Sequence, residues 1–162
     1  AFLAIDPARA DRTAFSAPYV EIEGTYLVRE DSPAQQVADL DRDGLRIAVG
    51  RGAAYDLFLS RELRHATIER ADTSAAALAL FDQHRLDAAA GVRQPLDAWA
   101  QTHSGHRVLA DRFTAIQQAV AAPASRPADA LRALFEEVEA IKAGPLLEEA
   151  FARAGQAVTL VQ

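Results

Sequence analysis

Between Leu45 and Ala110 short apolar runs alternate regularly with helix-forming stretches, and no other feature constrains the fold as much. Leu45–Val49 reads as a buried strand, Ala54–Leu63 as a helix and Thr67–Glu69 as a short strand. Thr73 or Ser74 then caps a helix whose Leu78 and Phe81 share a face. Asp87–Val92 is a strand of small residues, Pro95–His103 a helix, and Arg107–Ala110 closes the series. Strands joined through helices run parallel, because each crossover returns the chain to the same end of the sheet. The fold class expected is α/β, with a mainly parallel lobe over residues 29–114.

Two extended segments bracket this lobe. Tyr19–Val28 places Val20, Ile22, Tyr26 and Val28 on one parity, and Ala115–Ala122 is a second extended run. Ahead of the first, Ala1–Ile5 is an opening strand, followed by two proline-marked turns at Pro7 and Pro18. Between the first segment and the lobe, Ser32-Pro33 signals a short helix ending near Leu40. After the second, Ala128–Ala143 and Pro145–Ala154 are helices separated at Gly144-Pro145. The domains expected are 1–28, 29–114 and 115–162.

Composition removes several function classes. A net charge of -6 with no cluster of Lys and Arg argues against a nucleic-acid partner, which needs a basic face for phosphates. The apolar runs fall far short of the roughly 20 residues that cross a bilayer. Cysteine is absent, so thiols say nothing about compartment. Methionine is absent even at position 1, so a removed leading portion, a signal peptide among the candidates, is expected.

Few motifs carry chemistry. Gly50-Arg51-Gly52-Ala53-Ala54-Tyr55 follows a strand and opens a helix, like half a dinucleotide fingerprint, but Tyr55 stands where a third glycine would let helix and strand pack closely. It reads as a tight strand-to-helix turn whose backbone N–H groups around Ala53 and Ala54 can receive a carboxylate or phosphate oxygen. His65, His84, His103 and His106 lack the spacing of a ligand set, so neither metal nor cofactor is expected. No serine sits in a nucleophile setting, and the carboxylate pairs lie on C-terminal helices where solvated faces are usual, so no catalytic residue is assigned. Arg9 follows a strand in a turn held by Pro7, with Asp6 and Tyr19 at hand. Its planar fork suits a ligand carboxylate, or equally a local pairing with Asp6 or Asp11.

Asp6-Pro7-Ala8-Arg9-Ala10 followed by Phe15-Ser16-Ala17-Pro18-Tyr19 resembles the T-x-x-R…F-S-x-P-Y signature of type II periplasmic solute-binding proteins of ABC transporters, often amino-acid binders. The similarity continues through Leu45–Gly50 with Gly52, Thr73, Leu80 and Leu86-Asp87-Ala88. The resemblance implies two lobes joined by a two-stranded hinge, with Tyr19–Val28 and Ala115–Ala122 as its crossings. The C-terminal helices would return to a first lobe that lacks its opening portion. It implies a non-catalytic periplasmic receptor that delivers a small solute to a permease, with Arg9 on the solute carboxylate, Asp6 and Tyr19 beside it, and Gly52, Ala53 and Ala54 on the second lobe's wall.

Three departures sharpen this. The opening portion of the first lobe is missing, so a homodimer formed by exchange, or a retained N-terminal fragment, is expected to cover apolar faces. Asp6 replaces the usual threonine. Val92 stands where amino-acid binders place an acid for the ligand ammonium, and Arg93 follows it, so an organic acid is expected over an α-amino ligand, with Arg93 as a further contact. The rival readings are a dehydratase-like enzyme with Asp6 as its acid, and the effector-sensing domain of a transcription regulator.

Overall fold

Packing separates the chain into unit 1, residues 1–22 and 116–162, and unit 2, residues 23–115. The computed structural model describes residues 1–155 and 158–161. The strands are β1 (Phe2–Ala4), β2 (Thr13–Phe15), β3 (Val20–Arg29), β4 (Arg46–Gly50), β5 (Thr67–Ala71), β6 (Ala88–Val92), β7 (His106–Val108), β8 (Thr114–Pro123) and β9 (Thr159–Leu160). The helices are α1 (Ala54–Glu62), α2 (Ser74–Gln83), α3 (Arg93–Thr102), α4 (Ala128–Ala143) and α5 (Leu146–Arg153). The chain passes between the units within β3 and within β8.

Unit 2 holds the parallel set that the alternation demands. β4 pairs parallel with β5, with Ile47 opposite Ile68, and parallel with β6, with Ile47 opposite Ala88. Beyond β6 the sheet turns antiparallel: residues 24–27 of β3 pair with β6, and residues 27–29 with β7. Residues 23–29 of β3 fall in unit 2, where those from Gly24 onward pair with β6 or β7.

The core of unit 2 is built from Leu27, Ala48, Ala77, Leu78, Phe81, Leu86, Ala89 and Leu96. Alanines and Gly91 along β6 let helices approach closely; a Cβ at Gly91 would stand 2.9 Å from a Leu96 methyl. Phe81 is fully buried under the Arg29 guanidinium, 4.7 Å from the ring centroid, and Arg29 also donates to the Leu86 carbonyl at 2.7 Å. The cation thus satisfies backbone groups at the end of α2 while covering an aromatic face.

The short helix expected after Ser32-Pro33 does not form as an α-helix. The segment after Ser32-Pro33 contains only a 3-10 turn at Val37–Leu40. The Asp39 carboxylate accepts from the Gln35 and Gln36 N–H groups at 2.9 and 3.2 Å. The Val37 N–H goes to Asp111 at 3.0 Å, so side chains hold donors that a continuous helix would have to place on its own axis.

In unit 1, β1 and β2 pair antiparallel with β8, and β9 pairs antiparallel with Val20 and Glu21 of β3. The short β2 lies between the two proline-marked turns, where no strand is expected from the sequence. α4 and α5 are amphipathic, yet only Val138 is buried, while Leu134, Ile141, Leu146 and Phe2 are exposed.

Candidate functional site

In unit 2, the starts of α1, α2 and α3 and the end of β6 converge on a small cavity. A cavity of about 60 Å³ is lined by Tyr55, Ser74, Leu78, Ala90, Gly91, Val92, Pro95 and Leu96. It sits at the carboxyl ends of the parallel strands, the place where open α/β sheets leave a crevice.

Local sequence explains how the walls form. Gly50 ends β4 so close to α2 that a Cβ there would lie 2.7 Å from the Ser74 nitrogen and 2.9 Å from its Cα. Gly52 adopts φ +71, a left-handed conformation that costs glycine little, and turns the chain into α1. Thr73 caps α2 by accepting from the Ala76 N–H at 3.0 Å. α1 has no such device: its N-cap is Ala53, with no side-chain hydrogen bond. The first N–H groups of a helix have no intrahelical acceptor, so an alanine cap leaves them for something else, together with the positive end of the helix dipole.

Two of these residues escape notice in the sequence. Tyr55 is buried, and its hydroxyl bonds the Ser74 Oγ at 2.6 Å, tying the start of α1 to the start of α2. From sequence Tyr55 only spoils a glycine motif and Ser74 only competes with Thr73 as a cap. Their shared signal is weak: each is the first or second residue of a helix that follows a strand.

Gly52 and Ala53 form the β4–α1 turn, with the Ala53 N–H donating to the Gly50 carbonyl at 3.2 Å, and Ala54 is the first residue of α1. Arg93 is the first residue of α3, directly after β6. Its Nε donates to Glu23 at 2.5 Å, and its terminal nitrogens donate to the carbonyls of Leu109, Ala110 and Asp111 at 2.9, 3.0 and 3.0 Å. This guanidinium ties β3 to the loop before β8. Thr25 reinforces the tie, donating to the Asp111 carbonyl at 2.7 Å.

Unit 1 holds Asp6, Arg9 and Tyr19. Asp6 is buried and caps the turn Pro7–Arg9, accepting from the Ala8 N–H at 2.8 Å. Arg9 donates to the Ala4 carbonyl at 3.0 Å. Tyr19 packs edge-on against Phe2 with centroids 5.9 Å apart, and burial raises its phenol above the usual value. Ser16, also buried, accepts from the Val120 N–H at 3.0 Å and so locks the turn before β3 onto β8. Among the described residues, no group of three His, Asp or Glu is placed to hold a metal ion.

No family model matches the sequence, and no curated protein aligns with it. Solved structures do match. A solute receptor for L-cysteine of Neisseria gonorrhoeae superposes with TM-score 0.80 at 22% identity, over 93% of this chain and 61% of the receptor. A mutant of ArgBP from T. maritima gives 0.78 at 20%, over 93% and 65%. The chain has the type II periplasmic binding-protein fold. An ancestral amino-acid-binding protein, a precursor of cyclohexadienyl dehydratase, also matches, with TM-score 0.76 at 21% identity over 93% and 65%. The chain spans 61–65% of the length of these three structures.

Proposed function

We propose that this chain is part of an extracytoplasmic solute receptor for ABC-type import, and that unit 2 supplies one wall of its binding site. The observation that carries this is the uncapped start of α1 beside the cavity at the strand ends. A carboxylate seated there receives backbone N–H groups and the helix dipole without needing a cationic side chain. Tyr55 and Ser74 add hydroxyls at the same rim. Taken by itself, unit 1 offers Arg9 as a carboxylate contact of this reading, on a turn that Asp6 caps and with Tyr19 among its candidate contacts.

The solute is a small carboxylate, an amino acid or a related organic acid, and the lining favours the latter. Val92, Pro95 and Leu96 form an apolar side to the cavity and no acid lines it, so an ammonium group meets no counter-charge in the cavity lining. Arg93 enters this reading as a support for the wall, holding the end of β6 against Glu23. The matched ArgBP and the L-cysteine receptor are solute-binding proteins by name, which supports capture over turnover. A dehydratase-like reading draws on the third match and on buried Asp6 as its acid. That carboxylate already accepts from Ala8, which suits a structural role better.

No helix among the described residues is long and apolar enough to cross a membrane, and the proposed location is the periplasm, facing a permease. In unit 1 the exposed Phe2, Leu134, Ile141 and Leu146 support a second copy by exchange, or a retained N-terminal fragment, as their cover. Native mass spectrometry of the purified protein reads that directly: a bare 17.4 kDa species with no added chain refutes the cover.

Calorimetric titration with amino acids, keto acids and dicarboxylic acids tests the solute class. Binding of an organic acid that weakens in Arg9→Gln is expected. Preference for a basic amino acid overturns the organic-acid reading, and silence across the whole set overturns solute capture.

A further inference from the structure

Asp56 is an acid buried in the first turn of α1, where no ligand reading calls for one. Its side chain is 5% exposed. One oxygen accepts from the Gly52 N–H at 2.8 Å, bending back over the turn that α1 leaves. The other accepts from the Arg70 Nε at 3.0 Å and the Ser60 hydroxyl at 3.2 Å, and Arg70 also donates to Ser60 at 2.8 Å. Arg70 comes from β5, on the neighbouring parallel strand.

An acid at this position usually improves a helix by opposing the positive end of its dipole. Beside a seat for a carboxylate the same charge repels the guest. The geometry points to Asp56 as a positioning residue that holds the Gly50–Ala53 turn in shape, with Arg70 neutralising it so that the α1 start remains attractive to an anion. This rests on the reading of the α1 start as a carboxylate seat. Asp56 and Arg70 touch no solute in this account; they set the field and the turn.

Charge tuning has a signature that a purely structural role lacks. If the pair were only a brace, every substitution would weaken binding. If Arg70 screens Asp56, the two single substitutions move affinity in opposite directions. Asp56→Asn keeps an acceptor for the Gly52 N–H and removes the repelling charge, so an anion binds more tightly. Arg70→Gln leaves the carboxylate unscreened, so an anion binds less tightly. The double variant returns towards the parent, and Arg70→Lys, which keeps the charge, restores it.

Acetate is the probe, followed in the full chain through the amide resonances of Ala54 and Tyr55. Expected shifts in acetate affinity are about fivefold down for Arg70→Gln and about fivefold up for Asp56→Asn, the size of one charge acting across a turn at intermediate dielectric. The double variant should fall within about twofold of the parent, and added salt should shrink all the differences by screening. An acetate response in the parent with both single variants weaker, or neither changed, overturns the tuning while leaving the seat intact. No response of Ala54 and Tyr55 in the parent overturns the seat itself, and the tuning with it. Should Asp56→Asn fail to fold, Arg70→Gln against Arg70→Lys still decides, because Arg70 is one-third exposed and its replacement buries nothing unpaired except the acid under test.

Discussion

Replacing Gly50 by alanine places a methyl group where the structure has no room. The new carbon would meet the Ser74 nitrogen at 2.7 Å and the Ser74 Cα and Oγ at 2.9 Å. Two of these three atoms are backbone, so the contact cannot be relieved by rotating a side chain. Either β4 or the first turn of α2 has to shift by several tenths of an ångström. Overpacking of this kind costs about 1–3 kcal/mol. A shift of α2 also lengthens the 2.6 Å bond between Tyr55 and Ser74, and losing a hydrogen bond of that sort costs about 1 kcal/mol. The sum expected is about 2–4 kcal/mol, against a gain below about 1 kcal/mol from exchanging glycine for alanine in a strand. Urea unfolding followed by circular dichroism measures the difference, and Tyr55→Phe isolates the hydrogen-bond part. The same variant should also lose solute binding, because the two helix starts that form the cavity move apart. A Gly50→Ala midpoint equal to the parent's would refute the packing argument.

Phe81→Ala should cost about 3–5 kcal/mol in urea unfolding, since it empties a fully buried ring site and uncovers the Arg29 guanidinium above it. Arg93→Ala should speed exchange of the Leu109 and Phe113 amides, which donate to Tyr26 and Gly24 of β3, at least tenfold, while β4 amides stay protected. Arg93→Lys should recover little of that protection, because an ammonium cannot reproduce a fork that reaches Glu23 and three carbonyls. Acid should loosen the loops around Asp39 and Asp41. The N–H groups of Gln35 and then Gln36 hold the Asp39 carboxyl below its usual range. Burial pushes Asp41 up, but the N–H groups of His65, Ala66 and Arg64 outweigh it and leave the carboxyl lowered. A lowered folded-state value means stability that is present above the unfolded value of 3.8 and is lost as pH falls through the folded one. Urea midpoints taken downward from pH 5 should therefore drop, and the drop should flatten in Asp39→Asn and Asp41→Asn.

Much of unit 2 is legible without coordinates because its elements follow local rules. Val49 and Ala48 are apolar on both sides of β4, as a strand covered on two faces has to be, and Thr73 announces α2 through its own hydroxyl. The turn at Gly50–Ala54 is visible as a strand-to-helix junction for the same reason. Ser32–Leu40 misleads because proline after serine is a helix signal whose outcome depends on Asp39 and Asp111, the latter lying far along the chain. β2 and β9 are too short for any periodicity to show, and exist only because β8 and β3 offer partners.

The sequence by itself determined the alternation of strands and helices, the α/β class, and the position of the strand-to-helix turn at Gly50–Ala54, since each depends on residues close together in the chain. Only the tertiary structure decided what surrounds that turn. It joined Tyr55 to Ser74, buried Asp56 against Arg70, and spent Arg93 on Glu23, seventy residues away, and on three carbonyls. Such pairings arise where sheet register and helix packing bring separate segments to one strand end, and no local pattern specifies which side chain will be waiting there.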